Sequence, residues 1–348
     1  NMKEEELTME NNGENIYISL NNELTSKMPK DSYTCVTLNN SFIIFKSISN
    51  QFYLIFANSI NSIICYDFDN LQVINEIKNS HNKRITNFSH FLDIKNERNI
   101  ILSLSYEDNN IKLWNLQNWE CLLNLININN NGYLFSACFL NENNQILLVT
   151  SNYDNYNDYS EPIKIFDFYG KKVKEIENSN KKTYFVDAYY DKNLSQNFII
   201  ACFMDNIISF NYNKNEIYKK YYDFLSVVKS HSNTIIKSDD KIVNLIASCY
   251  DGNVRIWDFH AGLLLEKIAI SDEYLNSICL WKEHYLFVSC DDGYIKLVDF
   301  ENRKIIQNKC NESNEVLTVK SLAHRKYGKC LLAQSLGKEQ IKVYIIND

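Results

Sequence analysis

Proline and glycine are scarce in this chain, 2 and 8 of 348 residues. So few glycines leave most left-handed turn positions to another residue. Asparagine, which is abundant here and tolerates that region, is expected to fill them. No apolar run approaches the roughly 18 residues that a membrane span needs. The start, Met2-Lys-Glu-Glu-Glu6, lacks the apolar stretch of a signal peptide. There is no excess of positive charge: Lys and Arg number 36 against 43 Asp and Glu, for a net charge of -7, so a general nucleic-acid binder is disfavoured. The 10 Cys form no C-x-x-C pair and no cluster with His at metal-ligand spacing, and they read as reduced thiols, most of them in the core. Phosphate-loop, dinucleotide, H-E-x-x-H and G-x-S-x-G patterns are missing too. The expectation is a soluble intracellular protein, placed in the cytoplasm or nucleus, with no catalytic, cofactor-binding or metal-binding residues.

What the chain has is a 45% hydrophobic content, enough for a large core, and many aromatics, with 23 Tyr and 19 Phe. It also has a repeat. Alternating apolar residues followed by an aromatic, often with Asp after it, recur as Ile63-Ile-Cys-Tyr-Asp67, Ile111-Lys-Leu-Trp-Asn115, Ile163-Lys-Ile-Phe-Asp167, Ile207-Ile-Ser-Phe-Asn211, Val254-Arg-Ile-Trp-Asp258, Ile295-Lys-Leu-Val-Asp299 and Ile341-Lys-Val-Tyr-Ile345. Successive copies start 41 to 52 residues apart, close to the roughly 40 to 45 residues of one propeller blade. A continuous apolar run precedes each copy, such as Phe52 to Ala57 or Tyr285 to Cys290, as expected of a strand buried on both faces. A third run lies before that one, and a more polar one with alternating charge, such as Lys171 to Glu177, follows the marker as an outer edge strand. No helix of convincing length interrupts the series. The pattern predicts an all-β fold: a seven-bladed β-propeller with four antiparallel strands per blade.

The chain ends too soon after Ile345 to supply an outer strand for the last blade, so an N-terminal segment must close the ring. Tyr33 to Leu38 is assigned that role, with Ile16 to Leu20 as the alternative. The domain division that follows is a disordered or extended arm over residues 1 to 30 and a single propeller over 31 to 348.

The fifth unit carries His231, Asp251-Gly252 and Trp257-Asp258 in order, and the second carries His81, Ser103 or Ser105, Asp108 and Trp114. At these residues the chain resembles the WD-repeat β-propeller family. The resemblance implies a buried polar network of His231, Asp251 and Trp257, completed near Ser248 or Cys249, and a second one of His81, Asp108 and Trp114. It also implies a non-enzymatic scaffold that binds proteins or peptides through the narrower face and channel mouth, as a monomeric propeller or a subunit of a larger complex. The residues expected around that mouth are Arg84, Glu107, Tyr133, Tyr184, Thr234, Tyr250, Tyr274, Asp291 and Glu315, a Tyr-rich set suited to binding anchors. The Asp residues that close the markers, Asp67, Asp167, Asp258 and Asp299, read as turn residues and not as a ring of acids. Two alternatives are an enzyme acting on a small molecule at the channel mouth and a phosphoinositide or membrane-surface binder. The second would use the basic pairs Lys171-Lys172, Lys181-Lys182 and Lys219-Lys220 on the rim of blades three and four. Neither membrane insertion nor nucleic-acid binding is expected, and the acidic-aromatic insertion of residues 151 to 162 is read as a weakly constrained loop.

Overall fold

The computed structural model describes residues 16–30, 32, 41–126, 133–153, 162–177, 183–203, 206–223, 234–238, 243–282, 284–310, 315–336 and 340–347. These form seven sheets of four antiparallel strands each, a seven-bladed β-propeller. The third strand of each blade carries the marker: Ile63–Asp67, Asn110–Asn115, Ile163–Asp167, Ile207–Asn211, Asn253–Asp258, Tyr294–Asp299 and Lys342–Asn347. It is flanked on both sides within its sheet, which is why its apolar residues are almost all buried. Buried clusters span neighbouring blades. Ile163, Ile165 and Val149 of blade three pack with Val186, Ile199 and Phe210 of blade four, and Ile246 and Ile256 of blade five pack with Val288 and Val298 of blade six.

The ring is closed by Tyr17–Leu20, paired antiparallel with Lys342–Asn347. This corrects the assignment of Tyr33 to Leu38, which lies outside the described residues, in favour of the more N-terminal alternative. It also moves the start of the propeller from residue 31 to Ile16. Ile16 and Ile18 are buried among Leu331, Ala333 and Ile346. That apolar pattern, inward at alternate positions, is what commits the segment to the sheet. The helix Asn22–Lys27 follows directly. Asn21 caps it, accepting from the Leu24 amide at 2.9 Å. Met28 is extended (φ -69°, ψ 147°) as a residue preceding proline must be, so Pro29 ends the helix. Leu24 and Met28 fill a cluster shared by blades seven and one, with Phe42, Phe56 and Tyr66. Strand and helix together fasten the last blade to the first. At six residues the helix is too short to show a 3.6-residue period.

Asparagine replaces glycine in the turns as the composition predicts. Asn50, Asn61, Asn79, Asn109, Asn143, Asn144 and Asn215 all have positive φ. Gly252 cannot be replaced this way. A Cβ there would sit 1.8 Å from the Ser271 carbonyl oxygen, so the second-to-third-strand turn of blade five packs directly on the crossing into blade six.

Candidate partner-binding face

One end of the ring carries the crossings between blades and the turns between second and third strands. The innermost strands begin there, and five of them begin with a bulge. The register skips one residue between Ile85 and Asn87, Leu134 and Ser136, Thr183 and Phe185, Leu275 and Ser277, and Val316 and Thr318. The residues left out of register are Thr86, Phe135, Tyr184, Asn276 and Leu317. A bulge re-aims its side chain out of the alternating pattern; here it turns three of these residues toward the channel mouth.

Phe135 and Tyr184 join an aromatic arc. Tyr106 stacks on Tyr133 with ring centres 4.5 Å apart and 14° between planes, Phe135 meets Tyr106 edge-on at 5.1 Å, and Tyr184 meets Phe135 edge-on at 5.8 Å. On the far side Tyr250 and Tyr274 pack at 4.9 Å. Tyr250 lies close enough to Tyr184 and Asp291 that its phenol, already pushed up by burial, is raised further by both. The arc ends in carboxylates. Asp291 accepts from the Asn276 amide at 2.5 Å, and Asn276 also donates to the Val316 carbonyl at 3.1 Å. Burial holds Asp291 above the usual carboxylate range, with the Asn276 bond opposing and Asp292 adding to the shift. Glu315 is raised by burial and by Asp291. The arc runs from blade two to blade seven.

Behind the mouth, blades two and five are fastened by polar contacts. In blade two Ser103 Oγ lies 2.8 Å from His81 Nε2 and accepts from Trp114 Nε1 at 2.8 Å. Burial, with a smaller effect from Lys112, drives the His81 imidazole down to about 3. Asp108 accepts the amides of Asn82 and Lys83 at 2.8 and 2.9 Å. In blade five Asp251 receives Arg255 at 2.8 and 2.5 Å, Arg255 Nε donates to Asp223 at 3.0 Å, and Trp257 Nε1 donates to the Tyr222 carbonyl at 3.2 Å. Arg255 is wholly buried.

A model of the WD domain, G-beta repeat, matches residues 224–258, the unit that holds Asp251, Arg255 and Trp257. That match and the seven-bladed ring support a WD-repeat β-propeller. Over 72 residues it is 29% identical to the U3 small nucleolar RNA-associated protein 21 homolog of Schizosaccharomyces pombe, a stretch that covers 21% of this chain and 8% of that relative. The match therefore spans a small part of the relative's length.

Against the arrangement implied by the family resemblance, this WD-repeat propeller keeps the His–Ser–Trp part in blade two and alters the acid. Asp108 clamps the loop backbone just after His81, and His81 Nδ1 has no hydrogen-bond partner among the described residues. The fifth blade departs further. A guanidinium at position 255 takes the carboxylate of Asp251, because a buried cation demands paired anions. His231 lies outside the described residues. The sequence offered one signal for Arg255: a cation recurs at the second marker position as Lys112, Lys164, Arg255, Lys296 and Lys342. Lys112 donates to the Ser80 carbonyl at 2.5 Å, and Lys296 to the Ile270 carbonyl at 3.0 Å and Asp292 at 2.9 Å. These cations tie one blade to the crossing that leads into its own or the next sheet.

Of the expected mouth residues, the structure brings Tyr133, Tyr184, Tyr250, Tyr274, Asp291 and Glu315 into one arc. Arg84 and Glu107 are exposed on the same face, and the side chain of Thr234 is outside the described residues. Sequence reasoning missed Tyr106, Phe135 and Asn276. Tyr106 directly follows the buried strand Arg98–Ser105 and could have been read from that position; the bulges left no trace in the pattern. The marker-closing Asp residues are turn residues as expected. Asp167 accepts the Tyr169 and Lys171 amides at 2.9 Å, and Asp258 those of His260 and Ala261 at 2.9 and 2.8 Å.

Deeper in the ring, Asp187 on the inner strand of blade four is pushed up to about 6 by burial, against the opposing effects of the Ala188 amide and Lys320. Lys320, on the inner strand of blade seven, is lowered by burial and raised by Cys279 and Asp187. The two charges face each other across the ring. On the basic rim, Lys172 pairs with Glu175 at 2.5 Å and the Lys219 ammonium lies 5.7 Å from the Tyr218 ring centre. Lys181 and Lys182 lie outside the described residues, as do residues 154–161 of the insertion.

Proposed function

We propose that this WD-repeat propeller is a non-enzymatic scaffold that holds a protein or peptide partner on the mouth face. The observation that carries the proposal is a row of aromatic side chains on this face, with Tyr106, Tyr133, Phe135 and Tyr184 in ring contact and the Tyr250–Tyr274 pair beyond them. Six aromatic side chains from the inner strands and turns of five blades lie there, two of them, Phe135 and Tyr184, at inner-strand bulges. Tyrosines offer large contact area at low entropic cost, the composition of binding hot spots. Ring closure makes the platform rigid, so little freedom is lost on binding. The WD-repeat match supports the scaffold reading, and the relative's name, which associates it with U3 small nucleolar RNA, is in keeping with service inside a larger assembly.

The enzyme alternative needs a deep polar pocket at the mouth. A cleft of ≈ 430 Å³ among the described residues lies beside the N-terminal helix at the seam between blades seven and one, lined by Leu24, Lys27, Leu71, Lys326 and Tyr327. Its lining comes from that helix, from Ile345 and from turns at the opposite end of the strands. The test is affinity capture with the wild type and with Tyr133→Ser/Tyr274→Ser, both checked for an unchanged melting transition. A discrete partner set that vanishes with the variant supports the mouth face; an identical set from both rejects it.

A further inference from the structure

Three carboxylates on the mouth face are matched with donors. Asp108 is held by two backbone amides, Asp251 by Arg255, and Asp292 by Lys296 at 2.9 Å together with the Ser271 hydroxyl at 2.8 Å. Asp291 has a neutral amide, Asn276, and its neighbour Glu315 forms no ion pair among the described residues. Both side chains are partly buried, and Asp291, held beside Val316 through Asn276, adds to the upward shift of Glu315. Two partly buried carboxylates side by side, without a cation, is an arrangement that repels itself. Their immediate neighbour on the other side is the Tyr250–Tyr274 pair, and Tyr274 is 48% exposed, so its ring remains open to a partner.

We propose that this corner is a subsite for a basic side chain, Arg or Lys, presented by a peptide segment of the partner. The cation lies over the face of Tyr274 and between the carboxylates of Asp291 and Glu315. Aromatic faces attract cations through the ring quadrupole, and carboxylates pair with them through charge-assisted hydrogen bonds. Asn276 serves as the positioning residue: bonded to both Asp291 and the Val316 carbonyl, it fixes the acid between blades six and seven. The remaining Tyr106–Tyr133 end of the arc would receive the apolar part of the same segment. The inference rests on the mouth-face reading above and adds the chemistry of the residue recognised.

The test uses the full chain and fluorescein-labelled heptapeptides of glycine and serine whose central residue is Arg, Lys, Gln or Glu, titrated at low salt. The Arg- or Lys-centred probe is expected to bind about tenfold more tightly than the Gln-centred one, with the Glu-centred one weakest. Asp291→Asn/Glu315→Gln, which removes charge without removing volume, should erase that preference, and Tyr274→Leu should reduce it at an unchanged melting temperature. Equal binding of the Arg and Gln probes, no binding of any probe, or a preference that survives in the double carboxamide variant overturns the subsite. A photo-crosslinker at Tyr133 separates the two claims. If it still captures a discrete partner in the Asp291→Asn/Glu315→Gln background while the probe preference is missing, the mouth face stands and the cation subsite falls.

Discussion

His324 of blade seven and Asp69 of blade one join across the seam of the ring, with Nε2 3.0 Å from Asp69 Oδ1. The other ring nitrogen accepts the amides of Lys326 and Tyr327 at 3.2 and 3.1 Å, which places the proton on Nε2 and makes it the donor. Phe52, Phe68 and Tyr327 enclose the imidazole at 5.3, 5.5 and 4.6 Å. The seam therefore has a polar latch on the face opposite the mouth, beside the apolar plug of Leu24 and Met28. Removing one partner of a buried bond to a charged group costs about 1.5–3 kcal/mol. His324→Ala should lower the midpoint of urea denaturation accordingly, and His324→Phe, which retains the ring packing, should recover part of the loss.

The N-terminal plug makes a stronger prediction. Leu24→Ala and Met28→Ala each remove a buried side chain from a cluster between the first and last blades, at a cost of roughly 2–5 kcal/mol apiece. Deleting residues 1–28 also exposes the edge of Lys342–Asn347, an unpaired strand open to other chains. The truncated protein should elute as aggregate in size-exclusion chromatography; a stable monomer would show that the ring closes without Tyr17–Leu20.

How much of this could be read from the sequence divides along physical lines. The markers declared blade number and the third strand, because burial on both faces of a middle strand demands an apolar run that no other element demands as strictly. Ring closure was legible as a need but was placed on Tyr33 to Leu38, since the span from Leu20 to residue 41 looked too long for a connection, and a six-residue helix stopped by Pro29 occupies part of that span. Tyr133, Tyr184, Tyr250, Tyr274, Asp291 and Glu315 could be placed on one face because crossings and turns follow from the strand series. Phe135 and Asn276 were hidden, because a bulge shifts one side chain without changing the composition around it. Arg255 was visible as a recurring cation, but its burial became apparent only with Asp223 and Asp251 in place.

The buried cluster around Arg255 is predicted to be costly to break and cheap to replace. Asp223 accepts from both Arg255 and Lys267, at 3.0 and 3.1 Å. Asp223→Ala leaves a buried guanidinium short of one anion and should destabilise the protein by about 3–5 kcal/mol. The double change Arg255→Met/Asp223→Leu should cost much less than the sum of the single changes, measured in a double-mutant cycle by urea denaturation.

Two imidazoles give the chain an acid limb. Burial lowers His81 to about 3 and His90 to about 4, the latter against the raising effect of its bond with Asn99. The unfolded chain binds these protons near the ordinary value of about 6.5, so the stability they hold is present above that pH and lost as pH falls from there toward 4. His81→Gln/His90→Gln should show a shallower decline in denaturation midpoint between pH 6.5 and 4.5 than the wild type.

Asp187 carries the opposite sign. Its folded value of about 6 lies above the ordinary carboxylate value, so its favourable contribution is present at low pH and lost as pH rises through 6. Asp187→Asn, which can still accept the Ala188 amide, should raise stability by roughly 2 kcal/mol at pH 8, with little gain at pH 4. Equal gains at both pH values would show that the carboxylate does not stand in a desolvated ring interior.

The mouth-face scaffold is tested most directly by placing a photo-crosslinking phenylalanine analogue at the half-buried Tyr133 or the exposed Tyr274 and, separately, at the exposed Val73 or Ile217 on the outer strands. Irradiation in living cells is predicted to give the same discrete crosslinked species from both mouth positions and none from the outer ones. Discrete crosslinks from Val73 or Ile217 with none from Tyr133 and Tyr274 would place the partner on the rim and contradict the mouth-face scaffold.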